Sequence, residues 1–407
     1  MISPANHHPP RLVYLVTEDW YFLMHRLPMA RAARAAGYEV HVVTRLDRGR
    51  AAIEAEGFIA HHADLARGSR RPDRFLAALG AVRAHYRAIR PDIVHHVALQ
   101  CMVLGSIAGW RAKVPAVNGV TGLGTLFTSG NGLVPQLVRQ VLPFLVNRGN
   151  AVVTVENPDD ARLLRQLGIT AERIVLIPGS GVDTERLLPL PEPEGPGTSV
   201  GSDAPVTPVT PVTPVTPVTF AYVGRMLDDK GVRTLFAAHR MLQRQGNPPR
   251  LLLAGTPDPR NSTSLAEEEL VTFAREPGVT WLGHVEDIRT VWAQAHVAVL
   301  ASRREGLPVS LLEAAACGRP MIATDVPGCR EVALPDENAL LVPPDDPAAL
   351  AAAMQRLASD ADLRRKLAAA SRPLVESRFS SQRVGSEIVA LYARLLAAVR
   401  TGQPVGT

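Results

Sequence analysis

The stretch HVAVLASRREGLPVSLLEAAACGRPMIATD, residues 296–325, spells out one complete strand–loop–helix–strand unit. The short apolar runs at its two ends, HVAVLAS and PMIATD, predict buried β-strands. Between them, Pro308 suits the first turn of a helix through VSLLEAAACG, and Gly318 suits its end. Strands joined through a helix pair in parallel, so this unit predicts an α/β fold.

The same alternation of strand and helix patterns extends along most of the chain. Further buried strands are predicted at RLVYLVT, EVHVVT, DIVHHVA, PAVNGVT, AVVTVEN, TFAYVGRM, RLLLAG and VTWLGHV. Helical patterns such as LPMARAARAAG and RFLAALGAVRAHYRAIR separate them. Two such series in 407 residues predict two doubly wound domains. Ligands of this architecture bind beyond the carboxyl ends of the strands or in the cleft between domains.

One segment interrupts the alternation. Residues Pro189–Phe220 are rich in proline, threonine and glycine and pass into a three-residue Pro-Val-Thr repeat. Period-three proline suits an extended polyproline II conformation and cannot form a core. We interpret the segment as an insertion tolerated in a surface loop, with a docking site for a partner's groove as the alternative.

Composition limits the class of protein. A hydrophobic content of 46% with 20% charged residues is typical of a soluble globular protein, and no apolar run is long enough for a transmembrane helix. The N-terminus has no basic start followed by a long apolar block, so we expect no secretory signal. The scattered cysteines Cys101, Cys317 and Cys329 fit neither a disulfide framework nor a metal site and favour a reducing cytosol.

Charge is distributed unevenly between the two halves. Residues 1–169 carry 20 Lys and Arg against 12 Asp and Glu, whereas residues 170–407 carry 24 against 27. A basic first half indicates an anionic partner, either nucleic acid or a membrane surface. With 5% aromatic residues the chain offers no stacking platform for bases, so we predict no nucleic-acid binding.

Two glutamates, Glu305 and Glu313, lie eight residues apart in a segment otherwise suited to burial. Glu305 follows a predicted strand, Glu313 lies one turn into the next helix, and the helix start offers backbone N–H groups to an anion. A nucleotide diphosphate sugar would satisfy this arrangement. The phosphate would bind the N–H groups at the helix start. The ribose hydroxyls would donate to Glu313, and the sugar would contact Glu305. The alternative is a pair of surface glutamates beside Arg303 and Arg304.

A second motif, VGRMLDDKG at 223–231, follows the strand TFAYV. Gly224 would let the backbone approach a ligand closely, while Arg225 and Lys230 would project above the strand end. Lysine is scarce in this chain, and a compact ammonium at such a turn suits phosphate oxygens. An ordinary polar loop between strand and helix is the alternative interpretation.

Together, GRMLDDKG, EGLPVSLLEA and the segments between them resemble the second domain of the retaining GT-B glycosyltransferases of family 4. The stretches YFLMHRLPMARAARAAGYEVHVV, TGLGTLF, IPGSGVDTERL and TDVPGCREV resemble, more narrowly, bacterial enzymes that add a sugar to an undecaprenyl-diphosphate-linked intermediate. The resemblance covers nearly the whole chain except 189–219. Two departures from the wider family are TEDWYF, where many relatives have a glycine-rich loop, and Thr121, where many have a histidine.

This resemblance implies a GT-B fold, in which two Rossmann-like domains face an interdomain cleft. Residues 1–169 would bind the acceptor, residues 170–380 would bind the nucleotide sugar, and residues 381–407 would form a helix that crosses back to the first domain. The donor would be a UDP sugar carrying a hexose or N-acetylhexosamine, and the acceptor a lipid-linked saccharide of a cell-surface glycan. Rival interpretations are a UDP-sugar 2-epimerase and a non-catalytic nucleotide-sugar-binding subunit.

The resemblance also implies roles for individual residues. Arg225 and Lys230 would neutralise the diphosphate leaving group, Glu305 would contact the donor sugar, and Glu313 would hold the ribose. Further donor contacts are implied for Gly224, Gly255, Asn261, His284, Gly306, Leu307 and Pro308. The candidates on the acceptor side are His25, Arg26 and Thr121. No Asp-x-Asp motif suggests a metal clamp, so we expect neither a metal nor any other cofactor.

The basic first half suggests how such an enzyme meets its acceptor. Residues Gly130–Asn150 contain an apolar stretch with Arg139 and Arg148, and Ala66–Phe75 adds four arginines. Such a surface would bind the anionic inner leaflet of the cytoplasmic membrane from the cytoplasm. The alternative is a core helix packed on the sheet.

Overall fold

The computed structural model describes residues 8–65, 71–120, 133–148, 150–193, 217–246, 248–259 and 261–402, without the side chains of residues 111 and 133–138. The chain divides into two compact units, the first formed by residues 1–181 and 379–407 and the second by residues 182–378. Most of the Pro-Val-Thr insertion and the motif TGLGTLF lie outside the described residues.

The first unit is built on a parallel sheet of seven strands in the order β3-β2-β1-β4-β5-β6-β7. The strands are β1 (Arg11–Glu18), β2 (Glu39–Arg45), β3 (Ile59–His62), β4 (Ile93–Val97), β5 (Ala116–Gly119), β6 (Ala151–Val155) and β7 (Ile174–Leu176). The helices are α1 (Asp19–His25), α2 (Leu27–Ala35), α3 (Arg50–Ala55), α4 (Pro72–Ile89), α5 (Ala98–Gly109), α6 (Leu133–Arg148) and α7 (Pro158–Gln166). Since Leu12 of β1 is in register with Val40 of β2 and Ile93 of β4, the strand order reverses at β1.

The end of the chain completes the core of this first unit. The last helix, which we number α15 (Ser381–Thr401), packs against α2 so closely that a Cβ on Gly385 would lie 2.7 Å from the Ala32 Cβ. Its apolar face joins the core that lies against β1 and β2 through residues such as Ile388 and Tyr392. The helix predicted to cross back therefore belongs structurally to the first unit.

The second unit repeats the architecture with six parallel strands in the order β10-β9-β8-β11-β12-β13. They are β8 (Thr219–Val223), β9 (Arg250–Ala254), β10 (Val279–Gly283), β11 (Val297–Leu300), β12 (Met321–Thr324) and β13 (Ala339–Val342). The helices are α8 (Val232–Arg244), α9 (Glu267–Ala274), α10 (Arg289–Trp292), α11 (Val309–Ala316), α12 (Pro327–Val332), α13 (Pro347–Ser359) and α14 (Ala361–Arg378). The order of strands reverses between β8 and β11, and this reversal is the point where doubly wound sheets bind their ligands.

Every strand predicted from the sequence is present, but β3, β7 and β13 were missed. Each is the outermost strand of its sheet and only three or four residues long, so its hydrophobic pattern is weak. Because β7 was not predicted, the boundary between the two domains was also predicted too early in the chain. The expected division after residue 169 separates β7 from its partner β6, whereas the structure keeps both in the first unit and divides the chain after Gly181.

Candidate active site

The two motifs singled out in the sequence meet at the reversal point of the second sheet. The loop after β8 contains Gly224, Arg225 and a 3₁₀ turn at Asp228–Lys230, and the loop after β11 contains Glu305. The backbone N–H of Arg303 donates to the carbonyl of Asp229 at 2.9 Å, and the guanidinium of Arg303 contacts Asp228 at 2.7 Å. These contacts join the two loops directly.

Two glycines allow this close approach of backbone segments. Gly231 has φ +70°, and a Cβ there would lie 1.8 Å from the carbonyl oxygen of Ala301. Gly255 has φ +136°, and a Cβ there would lie 1.9 Å from the carbonyl oxygen of Gly224. Neither distance is possible for a real side chain, and both φ values disfavour one. Only glycine therefore fits at these two positions without moving the loops.

Lys230 and Glu305 form an ion pair between the two loops. The Lys230 ammonium donates to both carboxylate oxygens of Glu305, at 2.6 and 2.7 Å, across 75 residues of sequence. The hydroxyl of Ser302 donates to Glu305 Oε1 at 2.6 Å. The Glu305 side chain is only 7% exposed, whereas that of Lys230 is 25% exposed. Glu305 is thus held by three donors, and the Lys230 ammonium keeps a third N–H for another acceptor.

Arg225 occupies a more open position in the same region. Its guanidinium donates to Asp258 at 2.8 Å and its side chain is 45% exposed. The Tyr222 hydroxyl donates to the Arg225 carbonyl at 2.7 Å, which fixes the turn that presents this side chain. An exposed ion pair of this kind exchanges partners at small cost.

Glu313 lies on α11, in the same strand–loop–helix unit as Glu305. Among the described residues, no group donates a hydrogen bond to its carboxylate. Burial raises the pKa of Glu313 from 4.5 to about 7, and the charge of Arg186 offsets part of that rise. A carboxylate in this state is stabilised by any ligand that brings hydroxyl donors to it.

The other donor-side candidates fall into backbone and surface positions. Pro308 is the N-cap of α11, so the first backbone N–H groups of the helix come directly after Gly306 and Leu307 in the chain. Gly255 donates its N–H to the carbonyl of Gly283 at 2.7 Å, and the following His284 is exposed.

Asn261 plays a local part in the second unit. Its side-chain oxygen accepts hydrogen bonds from the backbone and the hydroxyl of Thr263, both at 2.9 Å. The side chain thus orders the turn that carries Asp258, and through that turn the partner of Arg225.

In the first unit, the acceptor-side candidates occupy different environments. The His25 ring packs against Tyr21, with the ring centroids 4.5 Å apart. The Arg26 side chain is buried and donates to the Ser180 hydroxyl at 3.1 Å, and its guanidinium lies 3.8 Å from Glu156. Sequence reasoning missed both of these partners because they follow distant strands. The third candidate, Thr121, lies outside the described residues.

Helix α6 packs on the sheet, as the core-helix alternative expects, and it also has exposed side chains. Leu142 and Val146 are buried in the core, whereas Phe144 is 46% exposed. The Arg148 guanidinium lies 4.8 Å from the centre of the Phe144 ring, which stacks on Trp110 at 5.7 Å. The helix therefore packs on the sheet and also presents an aromatic and basic outer face. Among the described residues, none of the helices has the length and apolar character needed to cross a membrane.

Comparison with known families agrees with the geometry of both units. Residues 27–186 match the family described as Glycosyltransferase Family 4, and residues 217–360 match the one described as Glycosyl transferases group 1. The chain belongs to glycosyltransferase family 4. Its two parallel sheets are the two domains of the GT-B fold of this family.

Relatives of this glycosyltransferase are found among bacterial enzymes. It is 25% identical over 311 residues to the Campylobacter jejuni N,N'-diacetylbacillosaminyl-diphospho-undecaprenol alpha-1,3-N-acetylgalactosaminyltransferase, covering 75% of this chain and 78% of that protein. It is 30% identical over 175 residues to the Staphylococcus aureus capsular polysaccharide biosynthesis glycosyltransferase CapM, covering 43% of this chain and 46% of that protein. The structure of Anabaena HepE in complex with UDP and glucose superimposes with a TM-score of 0.74 at 18% identity, covering 94% of this chain and 99% of that one.

Proposed function

We propose that this glycosyltransferase moves a hexose or N-acetylhexosamine from a UDP sugar to a lipid-linked saccharide, with retention of the anomeric configuration. The observation that carries the proposal is the Lys230–Glu305 pair at the reversal point of the second sheet. On the adjoining helix, the carboxylate of Glu313 accepts no hydrogen bond from any described residue. The relative from Campylobacter jejuni acts by name on a diphospho-undecaprenol acceptor, and HepE has been crystallised with UDP and glucose.

The cations of the site fit a diphosphate leaving group. The Lys230 ammonium, which donates two N–H groups to Glu305, would donate its third to one phosphate. Arg225 would exchange Asp258 for the other phosphate. The N–H groups at the start of α11 add a third source of positive potential. As the bond from the sugar to the phosphate breaks, negative charge grows on the departing oxygen, and preorganised cations lower the energy of that state. No divalent metal is needed in this scheme.

Glu305 acts in this scheme as a stabiliser rather than as a nucleophile. Both of its oxygens already accept hydrogen bonds, and its orientation is fixed from two sides by Lys230 and Ser302. The acceptor hydroxyl then attacks the anomeric carbon from the face that the diphosphate leaves, and the departing phosphate oxygen takes the hydroxyl proton. The carboxylate stabilises the positive charge that develops on the sugar ring.

The proposal places the protein on the cytoplasmic face of the membrane as a peripheral enzyme. Trp110 and Phe144 stack on each other, and Arg148 lies over the Phe144 ring. Such a face suits the headgroup region, where aromatic rings and basic side chains are favoured. An enzyme held there meets a lipid-anchored acceptor while its donor arrives from solution.

The test begins with thermal stabilisation of the protein by UDP-glucose, UDP-galactose and their N-acetylhexosamine counterparts. We expect one of them to raise the melting temperature of the wild type and to have a much smaller effect on Lys230→Met. That donor is then incubated with an undecaprenyl-diphosphate-linked saccharide, with and without EDTA, and the new linkage is read by proton NMR. An inverted anomeric centre, a requirement for metal, or an epimerised donor without any acceptor would refute the proposal.

A further inference from the structure

The first unit contains a small pocket that the scheme above does not use. It lies at the carboxyl ends of β4 to β7 and has room for a single water-sized group. Its lining includes Arg26, His95, Gly119, Thr154 and Glu156. His95 is 1% exposed, so its polar ring is buried except where it meets this pocket.

A buried chain of hydrogen bonds fixes the His95 ring from behind. His95 Nδ1 lies 2.6 Å from the hydroxyl of Tyr392 on α15, and that hydroxyl lies 2.9 Å from the hydroxyl of Tyr14. The Tyr14 ring also stacks on the imidazole, with centroids 5.0 Å apart. Helix α15 thus reaches across the sheet core to orient a side chain on β4.

The direction in which these hydrogen bonds donate determines the tautomer of His95. Among the described residues, Tyr392 is the only hydrogen-bond partner of the Tyr14 hydroxyl. If Tyr14 donates to Tyr392 and Tyr392 donates to Nδ1, both buried hydroxyl protons are bonded. The opposite direction leaves the Tyr14 proton buried without an acceptor, which is costly. Burial and the nearby Arg26 hold the pKa of His95 well below its usual value, so the ring is neutral and its one proton lies on Nε2.

The Nε2–H group faces a space that exists because residue 119 is glycine. A Cβ built on Gly119 would lie 3.1 Å from His95 Nε2 and 3.6 Å from Thr154 Oγ1. An oxygen atom in that position would accept a hydrogen bond from His95. Arg26 adds a further donor to the pocket lining, because its Nε is buried with no hydrogen-bond partner in the described part of the chain.

The charges around the pocket favour a neutral hydroxyl oxygen over an anionic oxygen. The Arg26 guanidinium lies 3.8 Å from the Glu156 carboxylate, so the positive charge already has a counter-ion. An incoming anion would meet Glu156, whereas a neutral hydroxyl accepts from His95 and donates to Glu156. We infer that this pocket binds one hydroxyl group of a saccharide, which, given the function proposed above, belongs to the acceptor. Tyr14 and Tyr392 are positioning residues that keep the proton on Nε2.

The experiment uses the protein of 407 residues labelled with ¹⁵N-histidine. The His95 resonances are assigned by their loss in His95→Gln, and we expect them to report the Nε2–H tautomer. Methyl α-D-glucopyranoside and its 2-acetamido analogue are added to about 50 mM, which suits the millimolar affinity of a single-sugar contact. At least one should shift the Nε2 resonance, whereas inorganic phosphate should not.

Three variants separate the pocket from the rest of the fold. Gly119→Ala fills the proposed hydroxyl position and should weaken glycoside binding about tenfold or more, the cost of one lost hydrogen bond in a tight site. Gly80→Ala on α4, where a Cβ meets nothing within 4 Å, is the matched control and should bind as the wild type does. Tyr392→Phe should lose the single tautomer while its binding of UDP sugar persists.

The outcomes distinguish this inference from the proposed function. In the proposed function the second unit binds the donor, so Gly119→Ala should bind UDP sugar as the wild type does. A wild type that bound no UDP sugar would reject the proposed function but not this inference. No shift with either glycoside would show that the pocket holds only water and would overturn the inference. An equal shift with phosphate, or with Gly119→Ala, would overturn it as well.

Discussion

Replacement of Glu313 by glutamine should stabilise the protein and weaken its binding of the donor. The pKa of this carboxyl rises from its ordinary value of 4.5, which applies to the unfolded chain, to about 7 in the folded protein. A raised carboxyl pKa means that ionisation is harder in the folded state, so stability falls as the pH rises through this interval. Below about pH 4.5 the carboxyl is protonated in both states and has no effect, whereas above about pH 7 the whole penalty is present.

The size of the effect follows from the same interval. A rise of the Glu313 pKa from 4.5 to about 7 corresponds to roughly 3 kcal/mol. Because the residue is only partly buried, solvent reduces this penalty to about 2 kcal/mol. For a unit of this size, that value raises the melting temperature by about 4–8 °C. Glu313→Gln should therefore melt several degrees above the wild type at pH 8, and the difference should become small towards pH 5.

Binding of the donor should change in the opposite direction. The ionised carboxylate accepts hydrogen bonds from ribose hydroxyls better than an amide does, so Glu313→Gln should bind UDP sugar more weakly at pH 8. For the wild type, donor affinity should decline as the pH falls below about 7, because protonation removes the stronger acceptor. Melting curves with and without donor between pH 5 and pH 8 measure both effects. A variant that is no more stable than the wild type at pH 8, or that binds donor equally well, would refute this reasoning.

Three further predictions concern the same site. Glu305→Gln should lower kcat by about 100-fold or more, since it removes the charge that stabilises the transition state. UDP binding should persist, because the Lys230 ammonium is released from Glu305 and can bind phosphate. Weakened UDP binding with unchanged kcat would contradict this role. Gly231→Ala should lower the free energy of unfolding by about 2 kcal/mol or more, because its Cβ would lie 1.8 Å from the Ala301 carbonyl oxygen. Gly246→Ala, with a similar φ and open space around it, should lower it less. Equal melting temperatures for the two variants would argue against the close contact at Gly231. Transfer activity should survive EDTA, as measured by product formation before and after treatment and after addition of magnesium.

The positions of the candidate site residues along the chain could be predicted from local sequence. Glu305 and Lys230 each follow a short apolar strand, and parallel strands joined through helices place such loops at the same edge of a sheet. Pro308 and Gly318 marked the two ends of the helix that carries Glu313, and the structure has that helix at Val309–Ala316. These signals are local, since they depend on the period of the hydrophobic pattern and on residues with restricted or unusual backbone angles.

The sequence by itself determined the class of fold, the family and the loops that contain the candidate site. Only the tertiary structure decided the order of the strands, the division after Gly181, and which side chains meet. Lys230 reaches Glu305 across 75 residues, and His95 meets Tyr392 across 297 residues. The reason is physical: a strand or helix follows from neighbouring residues, whereas a pair of polar groups from distant segments depends on the packing of whole elements, which no short stretch of sequence encodes.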